Sequence, residues 1–144
     1  MKQFGFPKAE HLCLQSEISQ LFEAGSHSMT MFPLRVVYQE VPYQGGPHVK
    51  VLLSVSKRRF KHAVDRNRAK RQLREAYRLH KATLLEAVPE TMGLHLAFIW
   101  LSDRPVHTRQ IQQRVAVLLT RMAEKLAVQP VEPLAVDSMK EEGV

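Results

Sequence analysis

The stretch from Arg66 to Lys81 contains no glycine, no proline and no β-branched residue, and strong helix formers dominate it. A run of this kind is a helix before anything else in the chain is considered. Advancing about 100° per residue gathers Ala69, Leu73, Ala76 and Tyr77 on one arc, with His80 among them. Arg66, Lys70, Lys81, Arg74, Arg78 and Arg71 fall on the adjoining arc, with Asn67 in their midst. One face is built to pack and the next is cationic. Asp65 stands where it can cap the N-terminus and complement the helix dipole.

The charge of the whole chain is concentrated around this helix. The 144 residues carry 21 Lys and Arg against 14 Asp and Glu, a formal net charge of +7. Eleven of those bases and only two of the acids, Asp65 and Glu75, lie between Lys57 and Lys81; outside that segment ten bases face twelve acids. A solvated helix face ordinarily alternates signs, with acid-to-base pairs at i, i+4. Here bases follow one another at 66–70, 70–74 and 74–78, where like charges repel. A helix that tolerates such repulsion is built to meet an anion. The predominance of arginine suits bidentate contacts with phosphate oxygens, so the partner expected from the residues alone is a nucleic acid.

The remaining elements read as a small α+β domain. Ser16–Ala24 is a short helix with Ile18, Leu21 and Phe22 on one face, Ser16 as N-cap and Gly25 at the C-cap. Leu34–Val41 and Val49–Val55 are strands, and the turn-formers of Pro42–Pro47 between them predict a hairpin with a longer loop. Leu94–Trp100 is a third strand, with Trp100 in the core and His95 structural. Thr108–Leu126 is a helix capped by Thr108, with Ile111, Val115, Leu118, Leu119, Met122 and Leu126 on its packed face. Residues 1–127 are expected to form the domain, and 128–144, with Pro130, Pro133 and an acidic end, a flexible tail.

Other classes of function find little support. The acids are scattered, the seven histidines lack ligand spacing, and the single cysteine, Cys13, has no second thiol with which to hold zinc. No catalytic residue and no metal site are expected in the protein itself. Gly45-Gly46 is a turn and not a phosphate-binding loop. The longest apolar-leaning stretch, Gly93–Asp103, is too short for the roughly 20 residues of a membrane span. With no secretory signal at the N-terminus, the expected location is the cytoplasm, with no membrane partner. A ribosome-associated or DNA-binding basic module would share the basic helix. A helix-turn-helix is disfavoured, because a strand precedes this helix and Pro89 follows it.

The segment Ser54-Val55-Ser56-Lys57, then Ala63-Val64, then Arg66-Asn67-Arg68-x-Lys70-Arg71-x-x-Arg74-Glu75-Ala76 closely resembles the signature of the bacterial ribonuclease P protein component. The resemblance spans roughly residues 8–127. It implies a four-stranded sheet packed with about three helices and an unusual left-handed crossover. It also implies a subunit of an endoribonuclease that removes the 5′ leader from precursor tRNA. In that family the RNA subunit is the catalyst, with bound Mg2+, and the protein pairs with it, one to one. Carried over residue by residue, the RNA-binding set is Lys57, Arg58, Arg59, Lys61, Arg66, Asn67, Arg68, Lys70, Arg71, Arg74 and Arg78. The family's cleft for the single-stranded leader corresponds to Ile18, Phe22, Val36 and Tyr38. Three departures stand out. Ile18 replaces the first of two aromatic residues on the first helix. Phe60-Lys61-His62 replaces a Gly-Asn pair in a loop about one residue longer. The basic N-terminal arm is reduced to Lys2 and Lys8, with His11-Leu12 where Arg-Leu is typical.

Overall fold

The computed structural model describes residues 10–128, apart from Cys13, Ala24, Gly25 and Gln44. The expected Gly25 cap, the basic arm at Lys2 and Lys8, and the 128–144 tail beyond its first residue lie outside the described residues. The elements in chain order are α1 (Gln15–Leu21), β1 (His27–Met31), β2 (Leu34–Pro42), β3 (Val49–Ser54), α2 (Ala63–Ala87), β4 (Met92–Trp100) and α3 (Thr108–Val128).

The four strands form one sheet in the order β1-β2-β4-β3. β2 and β3 are therefore not a hairpin, contrary to the expectation from Pro42–Pro47. β4 lies between them, antiparallel to β2 and parallel to β3. The reason is visible in the strands themselves. β4 is the most apolar of the four, with Leu94, Leu96, Phe98 and Trp100 buried on one face and Ala97 on the other. A strand covered on both faces belongs inside a sheet. The Pro42–Pro47 segment instead passes across the end of β4, using positive φ at Gly45 (98°) and Gly46 (75°), which glycine adopts without a Cβ penalty. Tyr43 N–H donates to Thr91 O on the way (3.3 Å), and Leu94 N–H to His48 O (2.7 Å). The hairpin in this fold is β1–β2, closed by Phe32-Pro33, with Met31 opposite Leu34. β1 escaped sequence reading because His-Ser-Met-Thr-Met is a half-polar edge strand, largely exposed.

Strand parity divides the sheet into two sides. Leu34, Val36 and Tyr38 of β2, Val49 and Val51 of β3 and the even residues of β4 meet α2 and α3 in the main core. The expected packed faces are the observed ones: Ala69, Leu73, Ala76 and Tyr77 of α2 and all six apolar residues of α3 are buried. The opposite side, carrying Val37, Ala97, Leu52 and Ile99, packs under α1 through Leu12, Ile18 and Leu21.

Helix boundaries differ from the sequence reading in three places. The N-cap of α1 is Leu14, not Ser16, and that of α2 is His62, so that Asp65 sits in the first turn as a dipole partner instead of a cap. The first turn of α3 closes on the His107 carbonyl, to which Ile111 N–H donates. The Thr108 hydroxyl is used differently: it accepts a bond from Gln72 Nε2 (3.0 Å), which also donates to Val106 O (2.8 Å), so buried Gln72 latches α2 to the start of α3.

Candidate nucleic-acid interface

The loop from Ser56 to His62 and the first half of α2 form one continuous cationic surface. The loop is anchored through Phe60, the first residue of the Phe60-Lys61-His62 run that stands for the Gly-Asn pair of the resembled family; its ring packs in the core beside Trp100 (centroids 6.0 Å apart) and is only 7% exposed. Arg59 and Phe60 N–H groups both turn back to Ser56 O. Arg66 then reaches back from the first turns of α2, its guanidinium donating to Phe60 O (2.9 Å) and Lys61 O (3.0 Å). With its backbone pinned at both ends, the loop holds Lys57, Arg58 and Lys61 out to solvent.

The predicted RNA-binding residues separate into two groups. Lys57, Arg58, Lys61, Arg68, Lys70 and Arg71 make no ion pair or side-chain hydrogen bond among the described residues, and Asn67 is exposed in their midst. Arg74 is exposed one turn further along, close enough to Glu75 to help lower its carboxyl pKa. The others are engaged within the protein. Arg66 fastens the loop. Arg59 contacts Asp103 at 3.1 Å, a solvent-exposed pair that a phosphate could displace at little cost. Arg78 contacts Glu75 at 2.7 Å, and that bond holds the Glu75 carboxyl below its ordinary range.

Lys81, which the helical projection put on the cationic strip, is not available. It is 1% exposed and its ammonium bonds Glu10 at 2.8 Å, fastening the segment before α1 to α2. Leu12 N–H continues that attachment by donating to Val51 O of β3 (2.9 Å). The projection failed here because it treats a long helix as exposed to the same depth throughout, whereas at Lys81 the helix meets Glu10 from the segment before α1.

The leader-cleft residues carried over from the resemblance do not share a face. Val36 is fully buried and Tyr38 is 2% exposed, and both point to the α2/α3 side, away from α1. Neither offers surface to a ligand, so both are core residues. Burial also raises the Tyr38 hydroxyl pKa. The α1 side of β2 is instead formed by Arg35, Val37 and Gln39, and a one-residue slip in register is enough to exchange the two sets. Phe22 is 48% exposed at the end of α1 and Ile18 is half-buried against the sheet. Helical spacing puts both on one flank of α1 and Glu17 and Gln20 on the other. The sheet beyond the Phe22 flank carries Arg35, Ile99 and Ser54 in one cross-strand row. Ile99 and Ser54 also line a shallow depression of about 250 Å3 with Ser56, Arg58 and Arg59. Arg35, Val37 and Ile99 were not singled out from sequence. Polar Arg35 and Gln39 at alternate positions of β2 were the signal that the odd side is the less enclosed one.

No helix among the described residues is long and apolar enough to cross a membrane, and no group of three or more His, Cys, Asp or Glu side chains there could hold a metal ion.

Comparison with known proteins agrees with this architecture. The family model described as Ribonuclease P matches residues 6–123. A Ribonuclease P protein component of Porphyromonas gingivalis is 38% identical over 121 residues, covering 83% of this chain and 88% of that protein. One from Chlorobium phaeobacteroides is 40% identical over 106 residues, covering 67% and 72%. Among solved structures, the RNase P protein from Thermotoga maritima superposes with a TM-score of 0.60 at 20% identity, covering 78% of this chain and 96% of that one. The RNase P protein of Staphylococcus aureus gives 0.60 at 22% identity, covering 83% and 98%. At those identities the structures speak for the fold, while the family model and the curated relatives speak for descent. The chain is a member of the ribonuclease P protein component family.

Proposed function

We propose that this chain is the RNA-binding subunit of a ribonuclease P holoenzyme, assisting a catalytic RNA in endonucleolytic removal of the 5′ leader from precursor tRNA in the cytoplasm. The observation that carries the proposal is the grouping of Lys57, Arg58, Lys61, Arg68, Lys70 and Arg71, without internal partners, on a loop and helix face fixed by Phe60 and Arg66. A preorganised cationic surface of this kind loses little side-chain and loop entropy on meeting a phosphate backbone. It anchors one protein to one RNA subunit.

The groove beside Phe22, Ile18 and Ile99 takes the single-stranded leader. Phe22 supplies a stacking surface, and Arg35, Arg58 and Arg59 supply charge for the backbone. Among the described residues Phe22 is the exposed aromatic placed there, so the leader is held by a single stack and apolar contact. Hydrolysis of the phosphodiester belongs to the RNA subunit and the Mg2+ it binds. The protein's part is to raise affinity for a substrate that still carries its leader.

The test is a pair of titrations with reconstituted holoenzyme, one with precursor tRNA and one with mature tRNA. The protein should tighten the first more than the second. Equal tightening of both would remove the leader groove from the proposal and leave only the anchoring role.

A further inference from the structure

A second cavity, of about 310 Å3, opens on the other flank of α1, away from Phe22 and away from the basic loop. Its walls bring together an aromatic stack and a loose pair of opposite charges. Tyr43 and His48 lie face to face, centroids 3.9 Å apart and 5° from parallel. The stack is fixed at both ends: the Tyr43 hydroxyl donates to Gly46 O (2.6 Å), and a His48 ring nitrogen pairs with Glu90 O (3.1 Å). Tyr43 nevertheless remains 36% exposed.

In the same lining, Glu17 of α1 and Lys50 of β3 approach to 3.9 Å. That distance is an ion pair but too long for a hydrogen bond between them, so the carboxylate keeps its acceptor capacity and the ammonium its donors. Both side chains are partly exposed, 22% and 29%. Gln20 and half-buried His95 complete the polar lining, and burial lowers the His95 pKa, leaving its imidazole neutral near pH 7.

A partly exposed aromatic ring held in a stack, lining the same cavity as a carboxylate and an ammonium that are not hydrogen-bonded to each other, is the chemistry that receives an unstacked nucleobase. We propose that this cavity binds a single unpaired RNA base, and guanine in preference to the others. Of the four bases only guanine has two adjacent donors, N1–H and the N2 amino group, for the two oxygens of Glu17, beside a carbonyl acceptor for Lys50. The inference rests on the reading that the chain works on RNA. It concerns a different place from the leader groove, separated from it by α1.

The experiment compares the full chain binding two single-stranded pentanucleotides, UUGUU and UUAUU, which share their phosphates and differ in the central base. The wild type should bind the guanine-containing one about tenfold more tightly, as expected for one bidentate pair. Glu17→Gln should abolish that preference. Tyr43→Ala should weaken both ligands about five- to tenfold through loss of the stack. Thermal melts establish that each variant folds, and Glu17→Gln, being isosteric, keeps the test available should Tyr43→Ala unfold. Equal binding of the two ligands by the wild type, or a preference that survives Glu17→Gln, overturns the proposal. Repeating Glu17→Gln in titrations of the RNA subunit and of precursor tRNA identifies which RNA supplies the base. Unchanged affinity in both also overturns it. Phe22→Ala should leave the guanine preference intact, so failure of the leader groove and failure of this site are separable.

Discussion

Arg66 and Arg71 belong to the same cationic helix, yet the structure gives them different work, and their alanine variants should differ accordingly. Arg71 is exposed and makes no ion pair or side-chain hydrogen bond among the described residues. Arg71→Ala should leave stability within about 0.5 kcal/mol of wild type, as surface substitutions do. If Arg71 meets one phosphate, the slope of log K against log salt for the RNA subunit should fall by about 0.7 to 0.9. Arg66 donates two charge-assisted bonds, at 2.9 and 3.0 Å, to the carbonyls of Phe60 and Lys61. Bonds to charged groups contribute about 1.5–3 kcal/mol each when enclosed, and the Lys61 carbonyl can recover water, so a total near 2 kcal/mol is expected. For a domain of this size that corresponds to a drop in Tm of about 6–10 °C. Arg66→Ala should therefore both lower Tm and weaken RNA binding, because the loop bearing Lys57, Arg58 and Lys61 loses its fastening. Thermal melts and salt-dependent titrations on both variants decide the matter. A Tm unchanged by Arg66→Ala would refute the fastening role, and a salt slope unchanged by Arg71→Ala would remove the exposed helix face from the RNA contact.

Leu73→Asp should abolish folding, since it sets a charge at a fully buried position; a cooperative melt from that variant would contradict the packing of α2. Tyr38→Ala should destabilise by about 3–5 kcal/mol as a core truncation, whereas Phe22→Ala should leave the melt unchanged and narrow the precursor-over-mature preference. If the two behave alike, the assignment of opposite sheet faces is wrong. The His95 pKa is lowered from its ordinary 6.5 by burial, so the folded state resists protonation that the unfolded chain accepts. Stability is then fully present above pH 6.5 and falls as pH drops from there through the lowered value. His95→Gln should flatten that part of the stability–pH curve, measured by urea melts, and an identical curve would refute the contribution.

What could be read from the sequence followed from periodicity with a large signal. Two long helices, three strands and the packed faces of α2 and α3 all emerge from apolar residues recurring at helical or alternating spacing, and the RNA-binding run emerges from charge density. What could not be read depended on long-range pairing. Nothing in Pro42–Pro47 says that β4, about fifty residues later, will enter between the strands it joins; the fact was latent only in the greater apolar content of β4. Tyr38 looked like a cleft residue because a motif was carried across a loop of uncertain length, and in a strand an error of one position reverses the face. Lys81 looked like part of the strip because a helical projection sees its own helix and not Glu10, seventy-one positions away in sequence. The candidate site was thus legible where its residues are contiguous and illegible where they come from different strands.

The central claim, that this protein presents a fixed cationic surface to an RNA that performs the chemistry, is tested most directly by reconstitution. The purified chain, a ribonuclease P RNA subunit and the two together are each incubated with precursor tRNA in Mg2+ at physiological salt and scored for release of the 5′ leader. The account predicts no cleavage by the chain alone and efficient cleavage by the pair. It also predicts that replacing Lys57, Arg68 and Arg71 together by alanine strongly reduces cleavage by the pair while the melt is preserved. Leader removal by the chain without RNA, or full activity of the pair carrying the triple variant, would contradict it.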